Sequence, residues 1–434
     1  MKSPFGARLI TAVVLAACAW PVTAQTMRAH FLDVGQGSAA IIETECAAVL
    51  IDTGGELNNE FDSTQSLIDQ IEDFFFGRPD LARTFQLFVL TPPHIDHTRG
   101  VNAVLEKYKV LNAVTNGQEA SSGKPGQKAL HRAVAASEQS AGTAIGFEPI
   151  RVADLPASGL SNEVVSPINC GSANPKLTAL WGTADTSGWS ATDSKNQNNH
   201  SVVLRVDFGN ASMLLTGDLE QRGITGLLAK YQGTGMLDVD VYLVGHHGAA
   251  NATTDALLQA VTPKMAVISM GVPERATNWT AWAYGHPRKA IVQQLLAKVS
   301  EPRTSRRVSV ATGTRTFEQI SVGKAIFATG WDGTIVLEAD TAGGWRLVSD
   351  QPQAPLIATP RNPVAQPTGP AKVNVNTASA DQLDTLPMIG LKRARQIVAF
   401  REANGPFGTV DEVRSVPGIG DGTMKAIRPL IEVR

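Results

Sequence analysis

The chain has 434 residues, of which 43% are hydrophobic and 18% are charged, and its formal net charge is −2. This length provides buried cores for two or three domains. The composition excludes a disordered tail and a basic nucleic-acid coat, because neither combines so many apolar residues with so little net charge. Aromatic residues make up only 6% of the chain, so we do not expect stacking platforms for single-stranded nucleic acid to dominate its surface.

The N-terminus predicts an exported protein. Lys2 and Arg8 flank the start of an apolar run from Leu9 to Trp20 that is too short to span a bilayer, and the residues before Ala24 suit signal-peptidase cleavage. We therefore interpret residues 1–24 as a signal peptide, which implies a periplasmic or extracellular location. The alternative is a lipoprotein cleavage box, in which Cys18 becomes the lipidated first residue and tethers the protein to a membrane.

Cleavage after Ala24 leaves two cysteines, Cys46 and Cys170. In an oxidising compartment two such thiols can pair as a disulfide. Two buried free cysteines are the alternative, because a sequence does not reveal whether the two side chains have the geometry that a disulfide needs.

Short β-rich runs, glycine turns and helical stretches alternate from Met27 to about Trp345. The predicted strands are Ala29–Val34, Ala39–Glu43, Ala48–Ile51, Phe85–Thr91, Val202–Phe208, Ser212–Thr216, Val239–Val244 and Lys264–Ser269. The predicted helices are Ser63–Phe75, Gly100–Tyr108, Lys128–Ala141, Thr254–Val261 and Arg288–Val299. The polar stretch Trp181–Asn199 is expected to be a loop. This mixed order predicts an α/β fold of the αββα sandwich type over residues 25–349.

Six prolines within residues 350–371 predict a semi-rigid linker. After it, residues 372–434 contain an internal repeat with a 30-residue offset, in which each copy has a short helix, a Pro-x-Ile-Gly turn and a second helix. The segment from 371 to the end holds nine basic and seven acidic residues, a net charge of +2. The repeat predicts a small all-α domain of two helix-hairpin-helix units, and its charge favours polyanionic partners.

Histidine and aspartate residues recur where predicted strands begin or end. The sets are His94, Asp96 and His97 after Phe85–Thr91, His200 before Val202–Phe208, Asp218 after Ser212–Thr216, and His246 and His247 after Val239–Val244. Imidazole and carboxylate ligands suit a borderline divalent ion such as Zn²⁺ or Mn²⁺. Because four such sets occupy similar positions, we expect them to converge on one metal site.

The order of short motifs resembles the metallo-β-lactamase superfamily, and within it the hydrolase domain of ComEC-type competence proteins. The matching stretches are Phe31–Gly37, Leu50–Gly55, His94–His97, Leu215–Asp218, Val244–Gly248, Tyr284–Pro287 and Trp331–Ile335. In two places the chain departs from the family pattern. Pro92 stands where the family's first metal-binding histidine is expected, and Ser38 stands where relatives often have an aspartate.

The resemblance implies one or two divalent metal ions. By the family pattern, a first ion would be held by His94, His200 and a bridging Asp218. A second would be held by Asp96, His97, Asp218 and one of His246 or His247. Since proline has no side-chain ligand, the first site is weakened, and a single occupied site is the alternative.

The implied chemistry is hydrolysis by metal-activated water. Asp96 would also orient this water, and His286 would contact the scissile phosphate or protonate the leaving oxygen. The alternative for His286 is a structural role in its Tyr-Gly-His-Pro turn. Asp33 and Asp52 are expected to stabilise turns or orient metal ligands rather than to react.

The repeat near the C-terminus resembles the DNA-binding domain of ComEA-type competence proteins. In that motif, glycine lets backbone N–H groups approach a phosphate, and nearby basic side chains add charge. The candidate DNA-binding residues are Gly390, Lys392, Arg393 and Arg395 in the first unit and Gly418, Gly420, Lys425 and Arg428 in the second. Met388 replaces the first hairpin glycine of the first unit. A helical module that binds other proteins is the alternative.

Together these features predict an exported, metal-dependent DNA phosphodiesterase whose C-terminal domain holds DNA through its backbone phosphates, with a link to DNA uptake. One alternative is a non-catalytic DNA-binding uptake or surface factor with a decayed metal site. Another keeps the hydrolase but changes its substrate to a different phosphoester or to a β-lactam.

Overall fold

The computed structural model describes residues 25–348 except 141, 143 and 172, and residues 372–433 except 379, 385 and 390. The predicted signal peptide, with Cys18, and the predicted linker lie outside the described residues. Within these ranges, no helix combines the length and the apolar character needed to cross a membrane.

The strands lie mostly in two large sheets. They are β1 Thr26–Phe31, β2 Ala40–Glu43, β3 Ala48–Ile51, β4 Thr84–Phe85, β5 Leu87–Val89, β6 Lys109–Val110, β7 Asn112–Thr115, β8 Gly146–Pro149, β9 Lys176–Trp181, β10 Val203–Phe208, β11 Ala211–Leu215, β12 Val241–Leu243, β13 Met265–Ile268, β14 Pro302–Gly313, β15 Thr316–Lys324, β16 Ile326–Ala328, β17 Ile335–Asp340, β18 Trp345–Leu347, β19 Val373–Asn374 and β20 Ile431–Glu432.

The α-helices connect and cover these strands. They are α1 Ser63–Gly77, α2 Ile95–Thr98, α3 Val101–Lys107, α4 Lys124–Glu138, α5 Ala191–Lys195, α6 Gln221–Tyr231, α7 Asp255–Val261, α8 Ala281–Tyr284, α9 Lys289–Lys298, α10 Thr329–Asp332, α11 Ala380–Asp384, α12 Leu391–Asn404 and α13 Asp421–Ile427. Short 3₁₀ turns occupy Pro79–Leu81, Val152–Asp154, Gln197–His200, Gly245–Gly248, Val410–Ser415 and Arg428–Leu430.

Two sheets face each other across the main core. One has eight strands in the order β18-β17-β1-β2-β3-β5-β7-β8, and the other has six in the order β16-β13-β12-β11-β10-β9. Alternate side chains of a strand point to opposite faces. In β2, accordingly, Ala40 and Ile42 pack in the main core, whereas Ile41 packs in a second core with Leu67 of α1. Helices therefore cover the outer face of the larger sheet.

The smaller sheet also has helices on its outside. Ile224 and Leu227 of α6, Leu257 of α7 and Val292 of α9 are buried and belong to the same cluster as the strands of this sheet. The resulting order of layers is helix, sheet, sheet, helix. The predicted αββα sandwich is confirmed.

Every predicted strand and helix overlaps an observed one. The loop predicted for Trp181–Asn199 contains the short helix α5 and the start of a 3₁₀ turn. The long hairpin of β14 and β15 was not predicted, because its strands are rich in Arg, Ser and Thr and are exposed over much of their length. Without apolar alternation, a strand leaves little trace in a sequence.

The C-terminal residues form a separate small core. It gathers apolar side chains from both halves of the repeat, including Leu383, Ile397, Val413 and Ile427. The first helix of the second unit is a 3₁₀ turn, Val410–Ser415, rather than an α-helix. Pro417 follows closely and disfavours helical backbone at the residue before it, so this six-residue element ends at Ser415. A parallel pair of strands, β19 and β20, joins the two ends of the domain.

The structure contains a disulfide between Cys46 and Cys170, with a Cα–Cα distance of 5.4 Å. It joins residues 124 positions apart in the chain. A cross-link that closes so long a loop removes much conformational freedom from the unfolded chain. The predicted pairing is confirmed, and the alternative of two free cysteines is wrong.

Replacing both cysteines, as Cys46→Ser with Cys170→Ser, is expected to lower the free energy of unfolding by about 2–5 kcal/mol, because the unfolded chain regains this freedom. Urea unfolding followed by circular dichroism measures the change. A reducing agent should destabilise the wild-type protein and leave the double variant unaffected. Equal stability of the two proteins under oxidising conditions would contradict the prediction.

Candidate metal centre and nucleic-acid interface

The carboxyl ends of several strands meet at one edge of the sandwich. In the smaller sheet, β11, β12 and β13 are parallel neighbours. Asp218 follows β11 and His247 follows β12, so the two residues leave the sheet side by side. In the facing sheet, Asp52 follows β3, and His97 lies on α2, shortly after β5. The order of the strands therefore brings together side chains that are far apart in the sequence.

Asp96, His97, Asp218 and His247 form one cluster whose ligand atoms all lie within 4.8 Å of one another. His97 Nε2 is 3.0 Å from Asp218 Oδ2. His247 Nε2 is 3.4 Å from Asp96 Oδ2 and 3.7 Å from Asp218 Oδ1. Four atoms this close together are in reach of a single cation.

Each histidine of the cluster is oriented through its other ring nitrogen. His97 Nδ1 lies 2.7 Å from Asp52 Oδ2, and His247 Nδ1 lies 2.7 Å from the carbonyl oxygen of Ser269. Asp52 is held in turn by the backbone N–H and the hydroxyl of Thr91. Such contacts place the proton on Nδ1 and leave Nε2 available as a ligand. Asp52 thus has the orienting position expected from the sequence.

The cluster contains buried polar atoms that the protein does not satisfy. Among the described residues, His97 Nε2, His247 Nε2 and Asp218 Oδ2 are buried and form no well-directed hydrogen bond, although His97 Nε2 and Asp218 Oδ2 are only 3.0 Å apart. Unsatisfied buried polar atoms are rare in folded proteins because each one costs free energy. Two imidazole nitrogens and two carboxylates form a donor set that suits a borderline divalent ion. The residues present therefore fit the metal that the sequence predicted.

The charges of this cluster are strongly coupled. Burial lowers the pKa of His97, but the carboxylates of Asp218 and Asp52 outweigh it, so that the net pKa is well above the usual value. Burial raises the pKa of Asp218, but His97, His246 and His247 together bring it well below its usual value. Burial raises the pKa of Asp96, but the contact with His247 and the charge of His97 outweigh it and bring the pKa to about 2. Both carboxyl groups are therefore ionised, and a cation bound between them would displace the extra proton from His97 Nε2.

Two glycine-containing loops fix the backbone that carries Asp96 and His97. A Cβ atom at Gly54 would lie 1.7 Å from the carbonyl oxygen of Asp96, and one at Gly37 would lie 2.6 Å from the same atom. Ser38 donates its backbone N–H to this oxygen at 3.0 Å. Only glycine permits so close an approach of two backbones. Both glycines lie in motifs that carry the family resemblance. The close approach of the two backbones explains why these two positions are glycine.

His94 and His246 lie beside the cluster rather than in it. His246 Nε2 is 3.9 Å from Asp218 Oδ2, and its Nδ1 is 3.5 Å from Glu220 Oε1. Burial lowers the pKa of His94, and the nearby carboxylates of Asp218 and Asp96 partly offset this decrease. Between the two histidines that follow β12, the structure brings His247 and not His246 within reach of Asp96.

His200 is not grouped with the other predicted ligands. Its Nδ1 accepts a hydrogen bond of 3.1 Å from the backbone N–H of Ala184, and its ring stacks on Trp189 at 5.6 Å. Burial lowers its pKa, so the ring is neutral. A neutral ring that accepts at Nδ1 carries its proton on Nε2, and a protonated nitrogen does not bind a metal ion. This geometry, together with Pro92, weakens the first of the two sites that the family pattern implies.

His286 lies against the cluster, as its predicted role requires. Its ring is 6.2 Å from that of His247, and its Nδ1 is 3.0 Å from Gln36 Nε2. The side-chain oxygen of Gln36 accepts a hydrogen bond from the backbone N–H of Gly271. The side-chain nitrogen of Gln36 is therefore the atom that donates to His286. Burial and the neighbouring His247 and His246 hold the pKa of His286 well below its usual range. The residue is therefore neutral and has its proton on Nε2.

The C-terminal domain presents its two hairpins differently from each other. Gly418 has φ +87° in the second hairpin, and Met388, at the equivalent position of the first, has φ +62°. A non-glycine residue in this left-handed region is strained by about 1–2 kcal/mol. Gly420 directly precedes α13. Gly390 and the side chain of Lys392 lie outside the described residues.

Arg395 of the first unit and Lys425 of the second are basic, exposed and at equivalent positions. Arg393 differs, because it is buried, donates to the carbonyl oxygen of Met388 at 2.8 Å and lies 3.3 Å from Asp69 of α1. In this arrangement Arg393 stabilises the strained hairpin rather than facing solvent. Arg428 is exposed and pairs with Asp411.

A basic groove runs along the second unit, lined by Lys372, Arg414, Lys425 and Arg428 together with Met424 and Pro429. Two of its cations, Lys372 and Arg414, were not among the predicted DNA-binding residues, since neither lies in the hairpin motif. Gln36 and Ser269 at the metal cluster were not predicted either. For Gln36 a signal existed, because it lies within the Asp-Val-Gly-Gln-Gly motif, whereas Ser269 contributes only its backbone carbonyl.

Two family models match parts of the chain. The model of the metallo-beta-lactamase superfamily matches residues 177–272, and the model of the helix-hairpin-helix motif matches residues 370–432. The first match includes Asp218 and His247, and the second covers both hairpins.

Several curated proteins are similar to parts of the chain. ComE operon protein 3 of Bacillus subtilis is 26% identical over 64% of this chain and 31% of its own length. Recombination protein 2 of Haemophilus influenzae is 24% identical over 60% of this chain and 26% of its own length. ComE operon protein 1 of Bacillus subtilis is 38% identical over 15% of this chain and 31% of its own length. The chain thus spans about a third or less of the length of these relatives.

The chain therefore joins a metallo-beta-lactamase superfamily domain to a helix-hairpin-helix domain, and it is related to competence proteins of the ComEC type.

Proposed function

We propose that this chain is an exported, metal-dependent phosphodiesterase that cleaves DNA, and that its helix-hairpin-helix domain holds DNA by the backbone phosphates. Residues 25–349 would form the hydrolase domain and residues 372–434 the DNA-binding domain, separated by the proline-rich linker. Among the similar proteins, one is named a competence protein and two are named ComE operon proteins, which supports a role linked to DNA uptake.

The observation that carries the proposal is the buried cluster of unsatisfied ligand atoms. His97 Nε2, His247 Nε2 and Asp218 Oδ2 converge without a well-directed hydrogen bond among the described residues, while Asp52 and the Ser269 carbonyl orient the two rings. A divalent ion would satisfy all three atoms. Without an ion, these buried atoms would stay without a well-directed hydrogen bond, which is rare in folded proteins.

The geometry favours one tightly held ion over two. Asp96, His97, Asp218 and His247 supply four ligand atoms to one position. At the other position, Pro92 supplies no ligand and His200 uses Nδ1 to accept from Ala184. We propose Zn²⁺ or Mn²⁺ as the ion, because mixed imidazole and carboxylate ligands suit both.

A divalent ion held there would supply water of lowered pKa and positive charge beside the phosphoryl oxygens. The residues of the chain would do the rest. Asp96 lies at the solvent-facing side of the cluster, being about a third exposed, and can accept a hydrogen bond from the attacking water. His286, held by Gln36 with its proton on Nε2, can donate a hydrogen bond to the phosphate. Its lowered pKa favours this neutral role over protonation of the leaving oxygen.

The basic groove supports DNA binding by the second domain. Its cations, Lys372, Arg414, Lys425 and Arg428, can neutralise phosphates without reading bases. A domain joined by a linker raises the local concentration of DNA at the hydrolase domain without any new contact there.

The disulfide supports export. Disulfides persist in oxidising compartments and are rare in the cytosol. The Cys46–Cys170 bond is therefore in accord with the signal peptide predicted for residues 1–24. Whether the protein is released or tethered through a lipid on Cys18 depends on the cleavage site.

The direct test is metal content measured together with DNA cleavage. The wild-type protein is expected to hold about one equivalent of Zn²⁺ or Mn²⁺ and to cleave DNA. Asp96→Asn is expected to abolish cleavage, because the amide removes a charged ligand, and Asp185→Asn, in an exposed loop, serves as the matched control. Elemental analysis and a nuclease assay across divalent ions give the readout. A wild-type protein without metal or activity would favour the alternative of a DNA-binding factor with a decayed site.

Asp52→Asn tests the orienting role of the carboxylate behind His97. The amide keeps the shape but loses the charge that fixes the ring, so metal affinity should fall about 10- to 100-fold. Competition with a fluorescent chelator measures the affinity, and Asp185→Asn again serves as the control. Unchanged affinity in Asp52→Asn would show that His97 needs no such partner.

Arg395→Ala combined with Lys425→Ala tests the DNA interface, since these residues hold equivalent exposed positions in the two units. Duplex affinity should fall for all sequences alike, and the slope of log K against log salt concentration should decrease in magnitude by about 2. Fluorescence anisotropy at several salt concentrations measures both. The control is Lys109→Ala with Lys176→Ala, which removes the same charge from exposed positions of the hydrolase domain. Equal slopes for the two double variants would contradict the assignment.

A further inference from the structure

Two exposed aromatic side chains lie beside the metal cluster, on the loop between β13 and α9. Trp279 is 66% exposed and Tyr284 is 40% exposed. Among the large hydrophobic side chains of the described residues, Trp279 is the most exposed. Core packing explains neither residue, and the mechanism proposed above uses neither.

The rings of this loop form a continuous row that ends at the cluster. The ring centroids of Trp279 and Tyr284 are 6.3 Å apart, and those of Tyr284 and His286 are 5.8 Å apart with an interplanar angle of 20°. His286 in turn stacks on His247, at 6.2 Å and 29°. The row therefore leads from solvent to a candidate metal ligand.

The loop is anchored at both ends, so the aromatic faces have a defined position. Arg275 forms an ion pair with Glu56, and both side chains are largely buried. The hydroxyl of Thr280 donates to the carbonyl oxygen of Thr277 at 2.7 Å and lies 3.0 Å from that of Arg275. At the other end, Gln36 holds His286. A preorganised aromatic surface binds more tightly than a mobile one, because less conformational entropy is lost.

Positive charge lies next to the exposed rings. Arg288 donates to the carbonyl oxygen of Tyr284 at 3.1 Å. Arg315, at the tip of the β14–β15 hairpin, is exposed and lies 5.0 Å above the ring of Trp282. Aromatic faces combined with cations form the surface on which unpaired bases and their phosphates bind.

We propose that Trp279 and Tyr284 form a stacking subsite for a base of single-stranded nucleic acid, whose neighbouring phosphate lies at the metal cluster. This inference rests on the proposed phosphodiesterase function and adds its substrate class. A base inside a duplex has both faces covered by its neighbours, whereas an unpaired base can stack on an exposed ring. The subsite therefore selects single strands at the catalytic domain, while the basic groove binds phosphates of either form.

The subsite is compatible with the low aromatic content of the chain. Two aromatic rings are enough to stack on one or two bases. The low aromatic content argues only against stacking platforms that dominate the protein surface. The three aromatic residues Trp279, Trp282 and Tyr284 fall within six positions, which concentrates them at one point.

The test measures binding of a fluorescein-labelled 12-residue oligo(dT) to the full, metal-replete chain, with phosphorothioate linkages that resist cleavage so that hydrolysis does not interfere. Excess unlabelled duplex occupies the helix-hairpin-helix domain. Trp279→Ala combined with Tyr284→Ala is expected to weaken oligo(dT) binding by about tenfold, because stacking on both rings is lost. Duplex affinity should not change. Phe76→Ala, which removes another exposed ring at the end of α1, is the matched control and should bind as the wild type does.

Two further variants separate stacking from damage to the fold. Trp279→Phe and Tyr284→Phe keep an aromatic face and should retain affinity within about threefold. An oligomer with consecutive abasic sites should bind the wild-type protein as weakly as oligo(dT) binds the double alanine variant. Equal oligo(dT) affinity for the wild type and the double variant would overturn the subsite.

The outcome distinguishes this inference from the proposed function. If the wild-type protein binds oligo(dT) through these rings but holds no metal and cleaves nothing, the phosphodiesterase proposal fails and the stacking surface stands. If the protein cleaves DNA normally and the double variant binds oligo(dT) like the wild type, only the stacking subsite fails.

Discussion

The structure depends on a group of charges buried at the edge of two sheets. His97 lies between Asp52 and Asp218, at 2.7 and 3.0 Å, and all three side chains are almost completely buried. Burying charge is costly unless each group is paired. Asp52 and His247, in addition, have positive φ values of 57° and 55°. Strain and buried charge at one place are typical of a functional site, where the surrounding fold enforces an unfavourable arrangement.

The rest of the sandwich serves to maintain this arrangement. Parallel strands of the smaller sheet deliver Asp218 and His247 from one side, and the larger sheet delivers Asp52 from the other. Gly37 and Gly54 let two loops press against the backbone of Asp96, which fixes the remaining part of the cluster. The substrate would then meet a rigid centre, with the anchored aromatic loop on the surface beside it and a second domain that binds phosphates.

Much of the site could be predicted from the sequence because its ligands lie in short motifs at strand ends. Asp96, His97, Asp218 and His247 meet as expected. That His200 lies outside the cluster could not be predicted. Its tautomer is set by a hydrogen bond from the backbone N–H of Ala184, and no local sequence pattern indicates this contact. The burial of Arg393 could not be predicted either. The equivalent residue of the second unit is Thr423, which is uncharged, so the repeat does not indicate that a charged side chain is buried at this position. The β14–β15 hairpin escaped prediction because polar residues mask its alternation.

The central claim is that Asp96, His97, Asp218 and His247 together hold a divalent ion. Anomalous diffraction from crystals of the metal-loaded protein tests it most directly, because the signal locates the ion without reference to activity. We expect one strong anomalous peak within bonding distance of His97 Nε2 and His247 Nε2. Metal-replete crystals with no peak among these four side chains, or with the strong peak at His94 and His200 instead, would contradict it.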